Sequence, residues 1–263
     1  MRRRGQPPPA TSILAYRLLL LSLGFAAVDV CLIICFIMAT PSEQQSAHTP
    51  SKGAVSTPDK WPSRDSVTLV VGQAKKAYTL HKDLLCFYSD YFRAAFNGSF
   101  KEAAERKIEL SDVEDEVFEF FQLWLYTRRL NWFDTRFSIL AKLWIFGDQY
   151  QMPLLQNCSI DTMLLKRTKQ YTFQSEVLGV AYANTLAGSP LRRAVIDLAS
   201  SMIVQEHANS VLRAELEKEW SVESLIDLVR AIESRDKALP QYSLPKRDKC
   251  YYHVHGKDEQ CPK

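Results

Sequence analysis

From Ser66 onward the hydrophobic and polar positions fall into regular patterns. Val67, Leu69 and Val71 alternate with Thr68 and Val70, a glycine–glutamine pair at 72–73 turns the chain, and Ala77 to Leu80 brings it back. Period-two alternation on both sides of a short turn predicts a β-hairpin. The period then lengthens. Leu84, Leu85 and Tyr88 fit a turn of helix, Ser89 stands where a second helix needs a cap, and Phe92, Ala95 and Phe96 share the inner face of that helix. Gly98 closes it in the manner of a helix C-terminus. Ile108 to Leu110 predicts a short strand. Ser111 to Glu114, "SDVE", has the form of a capping box ahead of Val117, Phe120, Phe121, Trp124 and Leu125. Two helices are expected at Phe137 to Tyr150 and at Pro153 to Leu165. Helical spacing continues at Gln174 to Leu186. It resumes after Ser189 and Pro190 with Leu191, Ala194, Val195, Leu198 and Met202, and again at Leu225, Leu228, Val229 and Ile232.

The flanks are different. Residues 41–64 are rich in Ser, Pro, Thr and Gln, with almost no large apolar residue before Trp61, and are expected to be a flexible linker. Ahead of them, Leu18 to Ala39 is an apolar run broken only by Ser22, Gly24 and Asp29. It is long enough to span a bilayer, although Asp29 would cost a few kcal/mol near the midplane. Arg2, Arg3, Arg4 and Arg17 precede it, so a signal anchor would hold the N-terminus in the cytosol and send the rest into a lumen. Three readings stay open: an upstream extension with the working start at Met38, a membrane anchor, or a cleaved signal peptide.

Composition narrows the function classes. Net charge is +3 over 263 residues and the basic residues are scattered, so no electrostatic footprint for nucleic acid is visible. The six cysteines, at 31, 35, 86, 158, 250 and 261, do not form the dense ladder of a small secreted scaffold. Cys86 and Cys158 lie in apolar helical patterns, where a thiol behaves as a small hydrophobe. A reduced cytosolic or nuclear protein is the expectation.

The succession "LHKDLL", "SDYF", "FNGSFKEA", "IELSDV" and "WLY" closely resembles the BTB/POZ domain over residues 65–165. "LAKLWIFGDQYQMPLLQNCSID", residues 140–161, is similar to the paired later helices of uncharacterised BTB proteins of filamentous fungi. The resemblance implies an α+β fold, a helical cluster flanked by a small β-sheet, working as a protein-interaction module that self-associates and recruits partners. It places His81, Leu84, Leu85, Ser89, Tyr91, Phe92, Phe96, Gly98, Phe100, Trp124 and Tyr126 in the family motif. Many animal BTB dimers carry an acid at the start of the first strand. Here Ser66 holds that place with Asp65 one residue earlier, so a charged dimer pocket of the family type is not expected. Cullin adaptors of the family use the region after the third main helix, here Tyr126 to Phe133, and "YTRRLNWF" carries no decisive signature. The domain plan is therefore an apolar segment at 1–40, a linker at 41–64, the BTB domain at 65–165, a helical extension at 166–240 and a tail at 241–263.

None of these side chains calls for catalysis. His81 reads as a hydrogen-bonded structural histidine, and Ser89 as a cap without a histidine base and carboxylate beside it. Phe118, Phe120, Phe121 and Trp124 read as core. The tail holds the remaining chemistry. Cys250, His253, His255 and Cys261 follow the order C-x2-H-x-H-x5-C, and four such ligands match one tetrahedral structural zinc with no position left open for catalysis. A disordered tail and a Cys250–Cys261 disulfide are the alternatives. The expected function is a non-enzymatic adaptor with protein partners, including a second copy and a cullin ubiquitin ligase. The other readings are a membrane-tethered scaffold held by residues 18–39 and a transcription-associated regulator.

Overall fold

A computed structural model describes residues 64–203, 218–235, 243–255 and 261. The apolar run from Leu18 to Ala39 and the linker up to residue 63 lie outside them. Among the described residues no helix is long and apolar enough to cross a membrane.

The alternation seen in the hairpin places its apolar residues on one face of a three-stranded sheet. β1 (Ser66–Val71) pairs antiparallel with β2 (Lys76–His81), with Val67 opposite Leu80 and Leu69 opposite Tyr78. All four are buried. Gly72, at φ 70°, starts the connecting turn, and a Cβ there would lie 2.7 Å from the Asp115 carboxylate. A left-handed backbone and a close neighbour both favour glycine at this position.

The chain leaves the sheet through α1 (Lys82–Tyr88), α2 (Asp90–Asn97) and the five-residue α3 (Lys101–Glu105). It returns as β3 (Lys107–Leu110), parallel to β1 on the side away from β2, giving the order β2-β1-β3. Ile108 lies opposite Leu69 and Leu110 opposite Val71, so the buried face continues across all three strands.

α4 (Asp115–Thr127) starts one residue after the expected capping box. Glu114 is its N-cap and makes no side-chain cap bond, while the Ser111 hydroxyl bonds its neighbour Asp112 at 3.3 Å. Residues 111–113 turn the chain out of β3, with Val113 buried, and Asp115 and Glu116 put negative charge on the first helical turn instead.

α5 (Phe137–Gln149) is buried on most sides, with Phe137, Ile139, Leu140, Leu143, Trp144 and Phe146 all shielded from solvent. A helix apolar around most of its circumference belongs at the centre of a domain. α6 (Pro153–Gln170) turns back along it and runs five residues beyond the expected Leu165. The two approach closely at Gly147, where a Cβ would meet Gln156 Cγ at 2.8 Å and Met152 O at 3.2 Å. The extension adds α7 (Glu176–Asn184), α8 (Pro190–Ile203) and α9 (Val222–Glu233). α7 packs on α5, α8 packs on α6 and α7, and α9 packs on α8. Ser189 accepts the Arg192 amide at 3.2 Å ahead of Pro190, and Ser221 with Ser224 forms a reciprocal capping box on α9.

Candidate functional site

The motif residues divide into those that build the domain and those that it displays. Leu84, Leu85, Phe92, Phe96 and Trp124 are buried. Ser89 is fully buried between α1 and α2, accepts the Phe92 amide at 3.0 Å and donates to the Tyr150 carbonyl at 2.6 Å. Both functions of its hydroxyl are therefore used in holding α2 to the end of α5. Phe92 stacks on Phe96 and on Tyr150, and Tyr91 meets Phe92 and Tyr150 edge-on. Burial pushes the Tyr150 phenol up to about 12 and raises the Cys86 and Cys158 thiols, so these groups are held in their neutral forms. Gly98 is the C-cap of α2, where a Cβ would lie 2.7 Å from Ala94 O and 3.0 Å from the Phe100 ring. Asp65 forms an ion pair with Arg106 at 2.6 Å, and Ser66 begins β1 opposite His81.

Arg128 is a residue whose importance the spacing does not reveal. It ends α4 in a left-handed conformation at φ 58°, with its guanidinium 3.7 Å from the ring centres of both Tyr88 and Trp124. It also donates to the carbonyls of Trp124 and Leu125. Burial lowers its pKa to about 10, still well above neutrality, so it works as a cation between two rings.

The displayed residues cluster around the end of α4. Leu123, Tyr126 and Phe133 are exposed by 47%, 45% and 63%, so each keeps much of its apolar surface in solvent. His81, at the end of β2, contacts the Tyr126 hydroxyl through Nδ1 at 2.9 Å and fixes that ring. The loop bearing Phe133 is fastened from several sides. Asn131 accepts the Phe133 amide at 3.0 Å and donates to Asp134 at 2.6 Å, while Thr135 donates to Asn131 O at 2.7 Å. From α6, Lys166 Nζ reaches the carbonyls of Trp132 and Phe133 at 2.9 and 3.2 Å. Phe133 is thus an exposed ring on a rigid base, the arrangement that loses least entropy on binding. Phe87, Tyr91 and Phe100, on and beside α1 and α2, add further exposed rings.

The tail forms a second site. Cys250, His255 and Cys261 bring their ligand atoms within 4.8 Å of one another. His255 Nε2 lies 3.4 Å from Cys261 Sγ, His253 Nδ1 lies 3.1 Å from the same sulfur, and the Cys261 amide points at Cys250 Sγ at 3.1 Å. Neither Cys250 nor Cys261 is in a disulfide. The other nitrogen of His253 contacts Asp161 on α6 at 2.9 Å. The approach to the body of the protein is held by side chains far away in sequence. Asn157 pairs with both backbone groups of Val254 at 2.7 and 2.9 Å, and Arg193 bonds Tyr251 O at 2.8 Å. Buried Asp197 accepts from Tyr252 at 2.7 Å and from Arg247 at 3.1 Å. Burial pushes the Tyr252 phenol up, as does the Asp197 carboxylate, and the bond to Asp197 raises the Arg247 pKa. Asn157 and Asp161 stand at i, i+4 on a helix of mixed polarity, and nothing in the sequence singles them out.

A family model for the BTB/POZ domain matches residues 63–163. Among curated proteins, Armadillo BTB Arabidopsis protein 1 of Arabidopsis thaliana is 31% identical over 152 residues, 56% of this chain. The chain spans 18% of the length of that relative.

Proposed function

With residues 63–163 forming a BTB/POZ domain, an interaction module for other proteins, we propose that this chain is a non-enzymatic adaptor that pairs with a second copy of itself and recruits a cullin ubiquitin ligase. The observation that carries the reading is the group of exposed apolar side chains at the end of α4: Leu123 and Tyr126 on the helix and Phe133 on a pinned loop. Rigid aromatic residues that the core does not use are the usual anchors of a protein interface. The polar residues of the motif are occupied structurally, Ser89 as a cap and His81 against Tyr126, which favours binding over chemistry. The proposed compartment is the cytosol or nucleus, where the four described cysteines would stay reduced.

The test uses two differently tagged full-length copies expressed together. Retrieval of one tag brings down the other copy and a cullin, identified by mass spectrometry. A Tyr126→Ala, Phe133→Ala double variant weakens cullin capture about tenfold or more with its melting transition unchanged. Capture of neither a second copy nor a cullin would reject the adaptor reading.

A further inference from the structure

We propose that Cys250, His253, His255 and Cys261 bind one zinc ion, and that this centre fastens the tail to α6 with Asp161 as the carboxylate that orients His253. The spacing around Cys261 fits the ion. Tetrahedral zinc with bonds of about 2.3 Å to sulfur and about 2.0 Å to nitrogen places neighbouring S and N ligands about 3.5 Å apart. The two imidazole nitrogens lie 3.1 and 3.4 Å from Cys261 Sγ, and Cys250 Sγ is within 4.8 Å of the ligand atoms of both Cys261 and His255. Two thiolates with two imidazoles suit zinc rather than the hard cations calcium and magnesium, which take oxygen ligands.

Two further observations come from outside the ligand set. The His253 side chain is only 5% exposed, and its Nε2 is engaged by Asp161, so Nδ1 is the nitrogen that faces Cys261. A metal-bound histidine regularly gives its other nitrogen to a carboxylate in this way, which fixes both tautomer and ring plane. The Cys261 amide directed at Cys250 Sγ supplies the backbone N–H that a metal-bound thiolate accepts. His253 touches the cluster through Cys261 and stands outside the tight group of three, so it becomes the fourth ligand by closing further on Cys250 and His255, with Asp161 holding its other nitrogen.

The consequence for the molecule is a strap. Asp161 and Asn157 belong to α6 inside the BTB match, whereas Arg193 and Asp197 belong to α8 of the extension, and the tail bonds to all four. Metal at its end would clip the extension to the BTB domain.

The experiment is metal analysis of the full chain purified without chelators or a histidine tag. One zinc per chain is expected. Cobalt replacing it should give the visible bands of a tetrahedral site with thiolate charge transfer. Cys250→Ser and Cys261→Ser each lose the ion, whereas Cys158→Ser, outside the cluster, keeps it. Asp161→Asn keeps the stoichiometry but weakens affinity 10- to 100-fold in competition with a fluorescent chelator, about the loss typical of such partners. Far-UV circular dichroism checks that each variant is folded. Protein that stays metal-free after equilibration with zinc, or a folded Cys250→Ser variant that retains it, overturns the proposal. So does an Asp161→Asn variant of unchanged affinity.

Discussion

Ser89 shows how much one hydroxyl can hold. Its acceptor function is local, three residues from the Phe92 amide, while its donor function reaches Tyr150, 61 positions away. Ser89→Ala removes a helix cap, about 1 kcal/mol, and leaves a buried carbonyl without its donor, about 1 kcal/mol more. We expect a loss of about 2 kcal/mol in urea denaturation, and a loss below half of that would mean water or Tyr150 compensates. The cap was legible in the sequence because a capping bond is a matter of spacing. The bond to Tyr150 was not, because it depends on where α5 ends in space. The tail repeats the pattern. Its C-x2-H-x-H-x5-C spacing is plain in the sequence, yet Asp161 lies 92 positions from the histidine it contacts.

Among elements, the long amphipathic helices and the hairpin could be read from periodicity, and the short or irregular pieces could not. α3 has five residues and buries none, so no apolar rhythm announces it. Its end at Arg106 takes φ 52° without a glycine to mark the left-handed turn. The capping-box signature at Ser111 to Glu114 was overridden because the chain needs those residues to leave β3. The loop at 131–135 is the most consequential of these irregular pieces, since it carries Phe133. Lys166 anchors it from α6, and burial lowers the lysine's pKa. Lys166→Met keeps the length of the side chain and removes both bonds, at a cost of about 1–2 kcal/mol. Amide hydrogen exchange at 131–135 should rise while that of α5 is unchanged. Unaltered exchange in the loop would show that its own asparagine turn suffices.

In the molecule as a whole, the tail joins parts that the sequence presents as separate. Asp197, 2% exposed, holds Tyr252 and Arg247 together, and its removal leaves both polar groups without their carboxylate. Asp197→Ala is expected to release residues 243–255, seen as faster amide exchange there, at a local cost of about 1–3 kcal/mol. The BTB core should melt as before. A tail that stays protected would show that Asn157 and Arg193 hold it unaided.

The parallel return of β3 also bears on how the chain is made. β1 meets β2 as soon as the hairpin is complete, but its other edge waits for a strand that ends at Leu110, 29 residues after His81 (110 − 81). At about 5–20 residues per second, synthesis leaves that edge of β1 without its partner for roughly 1.5 to 6 seconds. During that interval α1, α2 and α3 are the segments being made, and the open edge of β1 is a template for pairing with a neighbouring nascent copy.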